Sequence, residues 1–199
     1  MIRQDNEQAI VRKFRTQVTI LASFVGSFWA IEFLDRGLLG NTLHWFGIVP
    51  RDPVGLRGIL FAPFLHGSVN HLLSNTVPFV MLGWLVMLRA THHFWIVTGL
   101  SMLVGGTGVW LFGAPQSIHL GASILIFGYL GFLVLYGYFQ RDASSVALSL
   151  IVVLLYGSAV WGILPLQGGI SWEGHLFGLL GGALAAWLLS GRARARRNN

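Results

Sequence analysis

Residues 121–139 read GASILIFGYLGFLVLYGYF, nineteen positions without one charged side chain. A helix that crosses a bilayer needs roughly 17–25 apolar residues, so this stretch is long enough to span. Five others match it: 17–34, 69–88, 94–112, 144–164 and 172–189, each bounded by charge, proline or a polar cluster. The runs are uninterrupted, whereas barrel strands would alternate, and helices satisfy every backbone group in lipid. The expectation is an all-α, polytopic membrane protein built as a six-transmembrane-helix bundle. The first span is no cleavable signal peptide, because it ends in Glu32, Asp35 and Arg36 rather than a small-residue cleavage site.

Composition agrees. Of 199 residues, 54% are hydrophobic and only 10% charged, where a soluble domain carries about 25% charged residues. Mean hydropathy is +0.68. The absence of cysteine excludes disulfides and thiolate metal sites. A net charge of +6 would suggest nucleic acid in a soluble protein, but here the basic residues cluster at span ends and read as topology signals. With the N-terminus inside, the inner segments hold Arg3, Arg12, Lys13, Arg15, Arg89, Arg141, Arg192, Arg194, Arg196 and Arg197, against Arg36, Arg51 and Arg57 outside. Cytoplasmic loops collect Lys and Arg, so both termini are expected in the cytoplasm. That makes 1–16 a cytoplasmic segment, 17–190 one membrane domain and 191–199 a basic tail. The long outer loop 35–68, with Trp45, Phe46, Phe61 and Phe64, suits the interface. A bacterial cytoplasmic (inner) membrane fits the compact core and the arginine asymmetry.

This topology sets the depth of the polar residues. His66, His71 and Asn75 fall near the outer end of the second span, Ser123 at the outer start of the fourth and His175 at the outer start of the sixth. All five lie on one side at shallow depth, and ionisable residues inside spans call for a functional reason. A serine hydroxyl becomes a nucleophile when a base takes its proton, usually a histidine. Short side chains on two helices meet only if the backbones approach closely, which small residues allow. Gly174, Gly178 and Gly182 form such a stripe beside His175, and Gly121, Ala122, Gly128 and Gly131 another beside Ser123. His71 and Asn75, four apart, share a helix face and can aim two donors at one spot. With a helix starting near Gly121, backbone N–H groups around Ser123 add to them as oxyanion donors.

Together, His66-x4-His71-x3-Asn75, Gly121-x-Ser123 and His175-x2-Gly178-x3-Gly182 resemble the rhomboid intramembrane serine proteases, over roughly residues 16–190. The resemblance implies a rhomboid-like bundle with Ser123 as nucleophile and His175 as general base, in a dyad without a carboxylate. It further implies that His71 and Asn75 bind the oxyanion, that His66 orients the outer loop, and that no metal or cofactor is used. Substrates would be single-span membrane proteins cut near the outer end of their membrane helix, with no nucleic-acid partner.

The chain departs from the family pattern at three places. Ile124 replaces the usual glycine after the serine, and its branched side chain would crowd the substrate carbonyl. Phe127 stands where a tyrosine often supports the base, keeping the ring and losing the hydroxyl. Leu56-Arg57 is the nearest match to a usual Trp-Arg. Ile124 motivates an alternative, a rhomboid-like pseudoprotease that binds membrane helices without cutting them. A haem held between His71 and His175 is a third reading, which would leave Ser123 and Asn75 without a part. His92 and His93 read as solvated interface residues, His119 as a candidate border of the site, and Glu173 as facing outer water.

Overall fold

The computed structural model describes residues 2–166 and 169–197, with side chains from 5 to 190. Among the described residues seven helices follow in order: α1 (Ile2–Gly37), α2 (Gly58–Phe61), α3 (Val69–Arg89), α4 (Thr91–Phe112), α5 (Ser123–Gln140), α6 (Ala143–Tyr156) and α7 (Trp172–Arg197). Tighter single turns at Leu43–Phe46, Pro53–Arg57 and Ala62–Phe64 shape the segment between α1 and α3, and Gly157–Ile163 continues α6. Among the described residues there is no strand, only one antiparallel bridge between Ile48 and His119. Five stretches (Asp5–Gly37 in α1, α3, α4, α5, and Ala143–Ile163) are long and apolar enough to cross a membrane. The protein is therefore a multi-pass membrane protein. The sixth expected span, 172–189, is helical within α7. The tail arginines' side chains lie outside the described residues.

Local chemistry sets the helix limits. Ser68 is extended and its hydroxyl accepts the His71 N–H at 3.0 Å, capping α3. Asp142 does the same for α6 through Ser145 N–H at 3.0 Å. Hydrogen bonds from the Ser144 and Ser145 hydroxyls hold its carboxyl well below the usual carboxylate range. α5 begins at Ser123 rather than at Gly121 as expected, because Gly121 has a φ of 118°, outside the helical region. α1 starts well before residue 17, since the polar residues ahead of the span continue the helix as an exposed extension.

α5 is the centre of the bundle and α6 its least buried member. α7 packs more closely on α5 and α4 than any other pair of helices. The glycine seam explains this. A Cβ on Gly178 would strike the Ile124 carbonyl, one on Gly182 the Gly128 carbonyl, and one on Gly131 the Leu179 carbonyl. Backbones in such contact are what small residues provide in lipid, where no hydrophobic force joins helices. Beside the seam, Phe24, Phe28, Phe64, Phe79, Phe94 and Tyr129 interlock α1, α3, α4 and α5, with ring centroids 5.1–6.3 Å apart. The buried Tyr129 hydroxyl is satisfied by Thr98 at 2.8 Å.

Two expectations about single residues need correction. His93 is buried against Phe132 and Tyr136, with ring centroids 5.6 Å from each, so it belongs to the core; only His92 is exposed. Glu173 is 5% exposed and turned into the protein rather than towards water. α5 covers His93, a contact between distant segments that a single segment cannot reveal.

Candidate active site

The loop end of the bundle gathers the starts of α3, α5 and α7. Here the chain enters α5 through Gly121, whose N–H donates to the Ala62 carbonyl at 2.9 Å. The imidazole of His71 lies directly over Gly121: a Cβ there would come within 2.8 Å of its Nε2. The Asn75 amide nitrogen lies 3.5 Å from the same point. It is buried and has no hydrogen-bond partner among the described residues. His66 stands edge-on to His71, with centroids 5.3 Å apart, and its Nε2 accepts the Ala122 N–H at 3.4 Å. His66 precedes α3 instead of lying in its first turns as expected. Burial first, then neighbouring His71, pushes its pKa down to about 3, so it stays neutral and keeps a lone pair for that N–H.

Ser123 is half-buried at the first position of α5. Of the N–H groups at the start of α5, that of Ala122 donates to His66 and that of Leu125 to the Ala122 carbonyl at 2.9 Å, and the helix start carries the positive end of its dipole beside Ser123.

His175 occupies the first turn of α7. Its Nδ1 is 2.8 Å from the Gly162 carbonyl. A carbonyl can only accept, so Nδ1 carries the proton and the neutral ring presents a lone pair at Nε2. The ring lies flat on Phe127, centroids 4.0 Å apart at 8°. Phe127 is one turn from Ser123 on the same face of α5, and Gly178 touches the Ile124 backbone. Ser123 and His175 therefore sit at the same level of the closely packed α5–α7 pair. Ser123 Oγ makes no hydrogen bond to His175, and such bonds often tighten only with substrate.

Ile124 does not face this cluster. Its two γ carbons approach Gly105 of α4 and Gly174 of α7, where added Cβ atoms would meet them at 2.7 and 3.1 Å. The branched side chain fills a groove emptied by two glycines, and it is 5% exposed. Sequence reasoning missed both Gly105, its receptor, and Gly162, the carbonyl behind His175. Neither carries a local signal, since each matters only through a contact with a distant segment. A Cβ on Gly162 would lie 3.2 Å from His175 Nδ1 and 3.1 Å from Phe127, so Gly157–Ile163 approaches closely because Gly162 has none.

His119 lies further out, buried between Ser117 and Ser171. Among the described residues no group of three or more histidines and carboxylates could hold a metal ion. The geometry offers a hydroxyl, an imidazole lone pair on an adjoining helix, and the Asn75 amide beside Gly121 with no hydrogen-bond partner among the described residues.

Comparison with known proteins adds the ancestry of this arrangement. The Rhomboid domain family matches residues 54–192. An uncharacterized protein of Mycobacterium tuberculosis is 39% identical over 187 residues, covering 90% of this chain and 78% of that protein. "Putative rhomboid protease YdcA" of Bacillus subtilis is 26% identical over 191 residues, covering 94% of both chains. RHOMBOID-like protein 4 of Arabidopsis thaliana is 31% identical over 186 residues, covering 84% of this chain and 44% of that protein.

Proposed function

The chain belongs to the rhomboid family, and from that premise we propose that it is an intramembrane serine endopeptidase acting through Ser123 and His175. In this reading Ser123 Oγ attacks the scissile carbonyl while His175 Nε2 takes its proton. The oxyanion that forms is met by the N–H at the start of α5, by Asn75 Nδ2 and by His71. Collapse expels the leaving amine, which takes the proton back from His175. A water then repeats the sequence on the acyl-enzyme. The Gly162 carbonyl holds the imidazole through both halves and steadies its charged form, where a soluble triad would use a carboxylate. The Phe127 ring face adds a cation–π contribution. Gly121 lets the histidine and the amide approach, and Gly178 lets α7 approach α5.

The observation that carries the reading is the Nδ1 bond of His175 to Gly162, because it presents a basic nitrogen in the tautomer that proton abstraction needs. The substrates proposed are single-span membrane proteins drawn from the bilayer beside the loosely packed α6, with α7 as the sixth crossing. The proposed setting is a bacterial cytoplasmic membrane, with both termini in the cytoplasm, the site end outward and residues 17–190 as the membrane domain. The test is co-expression with a single-span reporter: Ser123→Ala and His175→Ala each abolish cleavage, and unchanged cleavage in either removes the dyad. The alternative, motivated by Ile124, is a binder that does not cut; the Ile124 side chain packs between Gly105 and Gly174, and a reporter that binds the folded protein without being cleaved would favour this alternative.

A further inference from the structure

The protease reading gives no task to His119, a buried polar group close to the site. Both ring nitrogens of His119 are engaged: Nε2 is 2.7 Å from Ser117 Oγ and Nδ1 is 2.6 Å from Ser171 Oγ. Neighbouring groups decide which way these bonds run. Ser117 Oγ lies 2.6 Å from the Ala114 carbonyl, which can only accept, so the Ser117 proton is used there. The Ser117 oxygen must then accept from His119, which puts the ring proton on Nε2. Nδ1 is left as an acceptor and Ser171 donates its hydroxyl proton to it. Ser171 Oγ in turn accepts the Gly174 N–H at 3.4 Å. One directed chain thus runs from the first turn of α7 through His119 to the loop that enters α5.

Its ends fall at telling places. His119 is fastened by two backbone bonds of 2.9 Å to Ile48, and it precedes Ser123 by four residues. Ser171 precedes His175 by four, and its carbonyl accepts the His175 N–H at 3.1 Å. The link joins the segment that delivers the hydroxyl to the helix end that delivers the imidazole. Burial lowers the pKa of His119, opposed by nearby Glu173, which agrees with a neutral ring having one donor and one acceptor.

We propose that His119 is a positioning residue, which through Ser171 sets the separation of Ser123 from His175. The assignment rests on the protease reading above. Proton transfer between groups on two different helices tolerates little error, and a misplacement of about 1 Å can cost roughly 100-fold in rate.

The experiment uses the full chain purified in detergent, with fluorophosphonate labelling of Ser123 as the rate and thermal unfolding as the control. His119→Ala and Ser171→Ala each slow labelling roughly 10–100-fold at a temperature where both are folded. The double variant is no slower than the slower single, because all three lack the same link. His119→Gln, which keeps one acceptor and one donor, recovers much of the rate. Parental labelling rates in the two alanine variants, or losses that multiply in the double, overturn the proposal. Should His119→Ala fail to fold, Ser171→Ala and His119→Gln decide it alone: a parental rate in the first, or no better rate in the second than in the first, counts against it. A parent that never labels removes the protease reading and this role together, whereas a labelled parent with unaffected variants removes this role only.

Discussion

Asn75 carries a buried amide donor with no acceptor among the described residues, which costs stability unless a ligand oxygen arrives. Asn75→Ala therefore leaves the unfolding midpoint unchanged or raised while kcat for reporter cleavage falls roughly 100-fold, as expected for an oxyanion donor; an unchanged kcat would remove Asn75 from that role. Ile124 makes the opposite prediction. Its side chain fills the groove between Gly105 and Gly174, so Ile124→Gly opens a cavity and destabilises by roughly 2–4 kcal/mol, with no gain in serine labelling. A faster-labelling variant of unchanged stability would mean that Ile124 restrains the site. His66 supplies a pH dependence. Its pKa falls from its ordinary value near 6.5 to about 3, so the unfolded chain binds the extra proton between those values. Its contribution to stability is complete above pH 6.5 and is lost as pH falls towards 3, at no more than about 1.4 kcal/mol per pH unit. Thermal unfolding at pH 7 and pH 4.5 checks this: His66→Gln, which can still accept the Ala122 N–H, loses less midpoint on acidification than the parent.

At the scale of elements, the α5–α7 seam decides whether a site exists. Gly182→Val places methyl groups against the Gly128 carbonyl, for which no side chain can yield. The variant loses its folded state or its midpoint drops sharply, whereas Gly26→Ala, with open space around it, is neutral; equal midpoints would refute the close-approach account. These stripes were legible in the sequence because glycine spacing and span length report directly on packing in lipid. So was the helical character of the apolar stretches, five of which are long and apolar enough to cross a membrane, since composition alone selects them. The turn at Gly121 and the tight turns of Gly157–Ile163 were not legible, because local apolarity does not distinguish one helical winding from another. The Gly162 carbonyl behind His175 and the Gly105 groove under Ile124 were equally hidden, being contacts between segments far apart in sequence. His93 and Glu173 were misread for the same reason: polarity in a sequence suggests water, and only the packed neighbour shows burial.

For the whole molecule, the structure brings the starts of α3, α5 and α7, which carry His71, Asn75, Ser123 and His175, to one end of the bundle. Which way that end faces is open to direct test, since the chain has no cysteine of its own. Single cysteines at Thr42 and Ser144, both exposed and at opposite ends, report the two sides of the membrane. An impermeant maleimide added to intact cells labels Thr42→Cys and spares Ser144→Cys; the reverse pattern would invert the proposed orientation. The family's chemistry then reduces to one bond-forming event at one oxygen atom. Exposure of the purified full-length protein to a fluorophosphonate, followed by mass mapping, measures it most directly. The account predicts a single adduct on Ser123 that disappears in His175→Ala, and a folded parent protein with no adduct at Ser123 would contradict it.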